Sequence, residues 1–208
     1  MAKLYFRYGA MNSGKSTALL QVAYNYEERG QRVLLAKPAV DTKGDTQILS
    51  RLGVTREVDF LITPQANVRD LFAFYARGED PNALALAVPE LPPVAALLID
   101  EAQFLTAKQV DDLLRIAVLD GVPVLTYGIR NDFQTQAFPG SGRLLTIAHT
   151  LEELKTICRC GRKAILNGRM VAGKFIFAGD QVSIDGDGVM YESLCAQCYL
   201  RESKGGLE

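Results

Sequence analysis

The chain has 208 residues, 48% of them hydrophobic, enough for one sizeable core and a small accessory module. Its 23 basic and 24 acidic residues give a formal net charge of −1, which offers no broad electrostatic footprint for nucleic acid. The N-terminus lacks an apolar signal core, and the greasiest stretch, Leu84 to Ile99, is broken by Pro89, Glu90, Pro92 and Pro93, so no membrane span is expected and the chain reads as cytoplasmic.

The first predicted element is a strand over 4–8, Leu4-Tyr5-Phe6-Arg7-Tyr8, and Gly9-Ala10-Met11-Asn12-Ser13-Gly14-Lys15-Ser16-Thr17 follows it directly. A buried strand ending in a glycine-bearing turn lets successive backbone N–H groups converge on a polyphosphate, while the next helix points its positive end at the same anion. In this G-x4-G-K-S pattern Lys15 is expected to reach the β- and γ-phosphates and the Ser16 hydroxyl to bind Mg²⁺, so Gly9 to Ser16 is the expected nucleotide site. Leu19, Leu20, Ala23 and Tyr26 then recur at helical spacing until Gly30. Further strands are predicted over 33–37, 57–62, 94–99 and 122–127, with helices over 67–77 and from the N-cap Thr106 through Val110, Leu113, Leu114 and Ala117 to Gly121. Strands alternating with helices predict an α/β fold of the P-loop NTPase, RecA-like kind, a parallel sheet covered by helices.

The strand Leu97-Leu98-Ile99 ends in Asp100-Glu101. An aspartate at a strand tip suits Mg²⁺, held through its water shell, and the adjacent glutamate is left free for proton transfer. If Glu101 activates water the chain is an ATPase; if it activates a substrate hydroxyl, a kinase. The plain alternative is a solvated pair of strand-end acids. Residues 128–142, with Gly128, Asn131, Asp132, Pro139, Gly140 and Gly142, read as a long ordered loop of functional length.

From about residue 150 the texture changes to short strands and turns, which puts a boundary at 149/150 between a nucleotide-binding domain, 1–149, and a small C-terminal β domain, 150–208. All four cysteines lie in the latter, as Cys158-Arg159-Cys160 and Cys195-Ala196-Gln197-Cys198. Without a secretory signal, metal outranks disulfides, and two such pairs would close a tetrahedral structural zinc site. The first pair has C-x-C rather than C-x-x-C spacing, and His149 is a rival ligand that reads better as a helix-end residue. Between the pairs, Val182-Ser183-Ile184-Asp185-Gly186-Asp187-Gly188 followed by Tyr191 reads as a hairpin with an Asp-Gly turn.

Together, the phosphate loop Gly9 to Thr17, Asp100-Glu101-Ala102-Gln103-Phe104, Asp132-Phe133-Gln134 through Phe138, and the paired cysteines resemble the type II thymidine kinase family over nearly the whole chain. The resemblance implies transfer of the γ-phosphate of ATP to the 5′-hydroxyl of thymidine. Glu101 would then be the base, Lys15, Ser16 and Asp100 would handle phosphates and Mg²⁺, and Gln103 would join the nucleotide-binding set. The 128–142 loop would be a lasso over the nucleoside, with Phe133 against it and Met11, Phe104 and Phe138 as candidates for the thymine pocket. It further implies that backbone groups of Val182, Ser183, Ile184, Asp185 and Gly186, plus Tyr191, read the pyrimidine edge, and that the enzyme is a homotetramer inhibited by its triphosphate end product. Asp185-Gly186 stands where the family often has paired glycines, and Asn167 where some members place a threonine near the base methyl, so deoxyuridine is a possible second substrate. The competing readings are a helicase-type ATPase in which Glu101 activates water, and a non-catalytic zinc-ribbon adaptor that binds nucleic acid. Arg51, Lys43 and Arg143 are the candidate cations for the transferring phosphoryl group.

Overall fold

Alternating apolar strands that bury both faces need helices on both faces, and the first half of the chain supplies them. The computed structural model describes residues 1–39, 46–77, 91–181 and 188–207. In chain order, β1 (Leu4–Tyr8) leads through the phosphate loop into α1 (Lys15–Glu27), followed by β2 (Arg32–Pro38), β3 (Gln47–Leu49), β4 (Thr55–Glu57) and β5 (Phe60–Ile62). Helix α2 (Val68–Arg77), β6 (Val94–Ile99), α3 (Ala107–Leu119), β7 (Val124–Gly128), α4 (Pro139–Ile147) and β8 (Thr150–Glu153) complete the larger layer.

A six-stranded, wholly parallel sheet runs in the order β5-β2-β6-β7-β1-β8. Side chains alternate along its strands. Val33, Leu35, Leu98 and Leu125 face Leu19, Leu20 and Ala23 of α1, while Leu34, Leu97 and Ile99 join Phe72 of α2, Val110, Leu113 and Ile116 of α3 and Leu144 of α4. Burial of each such leucine or phenylalanine contributes about 1.5–3 kcal/mol. Thr106 caps α3 as expected, in a reciprocal capping box with Gln109. Because β7 lies between β6 and β1, the loops leaving all three strands emerge together at the carboxyl edge, where α/β sheets bind their ligands.

Two predicted boundaries shift. The expected strand over 57–62 divides, because the Asp59 carboxylate accepts from the Leu35 N–H at 2.7 Å and its own N–H donates to the Leu35 carbonyl. On one side of that break Phe60 and Ile62 are buried in β5; on the other, β4 pairs with β3 as a separate hairpin. The boundary at 149/150 falls directly at the start of β8, which pairs with β1 and belongs to the large sheet, so the large sheet ends at Glu153.

The remaining strands are antiparallel: β9 (Thr156–Ile157) with β10 (Lys163–Ala164), and β11 (Leu166–Val171) between β12 (Lys174–Ile176) and β13 (Val189–Leu194), closed by α5 (Ala196–Glu202). Their core is small: Ala164, Leu194, Tyr199 and the buried cysteines 158, 195 and 198.

Candidate active site

The phosphate loop is as tight as its glycines suggest. A Cβ on Gly9 would lie 2.4 Å from the Leu154 carbonyl and 2.4 Å from Ser13 Oγ, so only glycine fits. Gly14, at φ 76°, opens α1 with no side-chain cap and no acidic residue in the first turn, leaving the helix N–H groups free for an anion. Lys15 is buried and its Nζ donates to the Ala10 carbonyl at 3.0 Å. Burial holds its pKa below the usual lysine value, while the carboxylates of Glu101 and Asp100 pull the other way.

Ser16 Oγ donates to Asp100 Oδ2 at 2.9 Å, closing the gap between the loop after β1 and the tip of β6. The other oxygen, Asp100 Oδ1, is buried and has no hydrogen-bond partner among the described residues. Burial, then repulsion from Glu101, pushes the Asp100 carboxyl up to about 7. An unsatisfied buried carboxylate oxygen beside a serine hydroxyl suits a hard, oxygen-seeking cation. Glu101 itself adopts a left-handed backbone at φ 48°, an uncommon conformation for a non-glycine residue, and its Oε2 accepts from Gln103 Nε2. Met11, Lys15, Ser16, Arg51, Asp100 and Glu101 line one cavity of about 900 Å³. Arg51 reaches it because Thr17 Oγ1 and Ser50 Oγ are hydrogen-bonded at 2.9 Å, which ties α1 to the turn between β3 and β4.

Other expected site residues fall differently. The Gln103 amide is spent on Glu101 and, through Oε1, on the Ile129 N–H at 3.2 Å, and Gln103 does not line the cavity; it orients the carboxylate. Arg143 pairs with Asp111 at 2.7 Å on the α3–α4 face, so it is not the cation beside the phosphates, and Lys43 lies outside the described residues. His149 Nδ1 accepts the Leu4 N–H at 3.1 Å and takes no part in the cysteine cluster.

The loop after β7 is shorter than 128–142, because Pro139 starts α4, where its missing N–H costs nothing. Its core is ordered by polar contacts: Asp132 Oδ1 accepts the N–H groups of Gln134 and Gln136, each at 2.8 Å, and Asp132 Oδ2 accepts from Gln181 Nε2. Phe133 is only 1% exposed; its ring lies under the Arg169 guanidinium at 3.9 Å and its carbonyl accepts from Tyr199 Oη. Arg169 donates in turn to the carbonyls of Ala178 and Asp180. Phe104 and Phe138 meet edge to face at 5.5 Å, Phe138 buried and Phe104 half-buried. Tyr191 is half-buried on β13 opposite Arg169. Val182, Ser183, Ile184, Asp185 and Gly186 lie outside the described residues.

The sulfur atoms of Cys158, Cys160, Cys195 and Cys198 all lie within 4.8 Å of one another. Bonds of about 2.3 Å to a tetrahedral zinc would space thiolates by about 3.8 Å, and the Cys160–Cys195 separation is 3.6 Å. The set can hold zinc. Cys195 caps α5, and its Sγ accepts the Cys198 N–H; that bond is the first cause that draws its thiol down to about 6.

Arg169, Ser193 and Tyr199 bond to the loops of the site without having been singled out in the sequence, and Asn167, placed there near the base methyl, bonds to the Met11 N–H and the Asn131 carbonyl. The only signal was Asn167-Gly168-Arg169 buried at the centre of a strand, where polar side chains need a reason.

A family model described as thymidine kinase matches residues 2–199. The chain belongs to the thymidine kinase family. Curated relatives named thymidine kinase include one from Idiomarina loihiensis, 46% identical over 99% of both chains. Others are from Legionella pneumophila, 44% identical over 100% of this chain and 92% of the relative, and Ruegeria pomeroyi, 44% identical over 99% and 96%. As a thymidine kinase the chain uses ATP to phosphorylate thymidine, and the reading of Asp100-Glu101 as a water-activating ATPase box is not favoured. Among the described residues, no helix is long and apolar enough to cross a membrane.

Proposed function

We propose that Glu101 accepts the proton of the thymidine 5′-hydroxyl as the γ-phosphoryl group of ATP leaves the phosphate loop. The observation that carries this reading is the Ser16–Asp100 contact, with its unpartnered Oδ1, immediately next to a Glu101 carboxylate fixed by Gln103 in the same cavity. Asp100 is committed to Ser16 and the cation, so the neighbouring carboxylate is the one free to take a proton. Ser16 and Asp100 would hold Mg²⁺, which when bound neutralises charge on the phosphates. Lys15 serves the phosphoryl oxygens, and Arg51, which lines the same cavity, is a further cation available to them.

On the nucleoside side, Met11 and Phe104 offer the accessible apolar surface, and Phe133 supports the site from beneath Arg169. The backbone of 182–186, with Tyr191, would read the pyrimidine edge, positioned by zinc on the four cysteines. A rigid reader loses little entropy on binding, and a snug floor favours a methyl-bearing pyrimidine over a purine. Family membership supports a cytoplasmic homotetramer, for which light scattering on the purified protein is the direct check. Glu101→Gln tests the central claim: it keeps shape and ATP binding but removes the proton acceptor, so turnover should fall by about 10²- to 10⁴-fold with nucleotide affinity little changed. Near-wild-type turnover would remove Glu101 from the mechanism.

A further inference from the structure

The peptide of Met11, in the middle of the phosphate loop, is gripped by the C-terminal module. Its N–H donates to Asn167 Oδ1 at 2.7 Å, and its carbonyl accepts from Ser193 Oγ. Asn167 spends the other end of the same amide elsewhere: Nδ2 donates to the Asn131 carbonyl at 2.8 Å, at the foot of the loop that carries Phe133. Asn167 is 2% exposed, and Asn131 and Ser193 are also buried, so these bonds meet little competition from water. A primary amide presents an acceptor and a donor in one rigid plane, which lets one side chain bridge an N–H in one loop to a carbonyl in another. A hydroxyl at this position is too short for both. The Met11 N–H, being taken by Asn167, is withdrawn from the phosphates, as the Gly9 N–H is by the Gly128 carbonyl, so its role is to set the loop's position.

We propose that Asn167 is a positioning residue that couples the two substrates, nucleotide in the phosphate loop favouring nucleoside under the 129–138 loop and the reverse. The inference rests on the site assignment above, with Gly9–Ser16 as the nucleotide site. Ordering either loop fixes the shared amide, so the second ligand finds its loop already placed, and the effect is reciprocal.

The test is calorimetric titration of the full zinc-loaded chain with thymidine, with and without saturating ADP and Mg²⁺. In the wild type, ADP should tighten thymidine binding by at least about fivefold, the lower end of ordinary coupling. Asn167→Asp keeps the acceptor for Met11 but sets a carboxylate against the Asn131 carbonyl, and should reduce that factor to below about twofold while ADP affinity alone stays within about threefold. Asn167→Thr, the residue that the family resemblance allows here, should do the same, and gives the answer if the aspartate variant does not fold. Ser193→Ala loosens the Met11 carbonyl but leaves the amide bridge, so coupling should survive. Wild-type coupling in folded Asn167→Asp or Asn167→Thr, its loss in Ser193→Ala, or no coupling in the wild type overturns the proposal. Lys15→Ala titrated with ADP in parallel reports on the site assignment separately: unchanged ADP affinity there would overturn the assignment itself.

Discussion

The parallel sheet and the C-terminal antiparallel module are held together by different means. In the parallel sheet, strands buried on both faces are clamped by α1 on one side and α2, α3 and α4 on the other, an apolar core that carries the phosphate loop and Asp100 at its carboxyl edge. Among the described residues the antiparallel module has a core of six buried residues, half of them cysteines, and it reaches the rest of the site through polar side chains bonded to backbone groups, Asn167 and Ser193 to Met11 and Tyr199 to Phe133. The phosphate half is therefore carried mainly by an apolar core, with one polar clamp at Met11, whereas the proposed nucleoside half rests on a cysteine cluster and on bonds that span much of the chain.

That contrast can be broken at either end. The largest effect should come from Lys15→Ala, which leaves the apolar core untouched yet removes the ammonium beside the phosphates; phosphoryl transfer should fall by about 10³-fold at nearly unchanged melting temperature. A rate near wild type in a steady-state assay would contradict the phosphate-loop assignment. Next is Cys198→Ser. Elemental analysis should give about one zinc per wild-type chain and little in the variant, and paired titrations should show thymidine affinity weakened about tenfold with ATP affinity within about twofold. Equal loss of both in a protein whose circular dichroism is unchanged would mean that the cysteine cluster does not act through the nucleoside side.

A smaller effect is expected of Arg169→Lys, which keeps the charge but cannot stack its plane on Phe133 while donating to Ala178 and Asp180. The thymidine KM should rise about threefold with the ATP KM unmoved, a loss of less than 1 kcal/mol; a shift in the ATP KM instead would place Arg169 on the other side of the contrast. The last is read in stability rather than in rate. Because folding raises the Asp100 pKa to about 7, the folded chain keeps a proton there that the unfolded chain gives up near 4, so between those values stability falls as pH rises. Without Mg²⁺ or nucleotide, the melting temperature should drop by a few degrees more in the wild type than in Asp100→Asn between pH 5 and pH 7.5, on the order of 2–4 °C per kcal/mol for a chain of this size. Identical slopes would show that Asp100 does not titrate there.

The same contrast governs what could be read from the sequence. The phosphate loop, the strand-end acids and the cysteine pairs are contiguous and chemically specific, so their residue types announce them. The clamp on Met11 does not announce itself, since Asn167 is 156 positions away and its partners are peptide groups that any residue carries. The loop after β7 was read too long because Pro139 and Gly140 are turn residues by composition and helix residues by position. Strand β8, which pairs with β1, is hard to read for a related reason: Thr150-Leu151-Glu152-Glu153 is a polar, half-exposed edge strand with no apolar run to mark it.

Gly140 carries one more consequence. A Cβ there would lie 2.4 Å from the Ala102 carbonyl and 2.8 and 2.9 Å from those of Leu105 and Gln103, so the start of α4 rests directly on the backbone that follows Glu101. At the other end of the same loop, the Ile129 N–H is bound by Gln103. Both feet of the flap thus stand on one short turn, 102–105, as the two posts of a gate stand on one sill. The turn that follows Glu101 is therefore also the footing of the loop that carries Phe133, so a substitution that shifts 102–105 should disturb the proposed proton acceptor and that loop together.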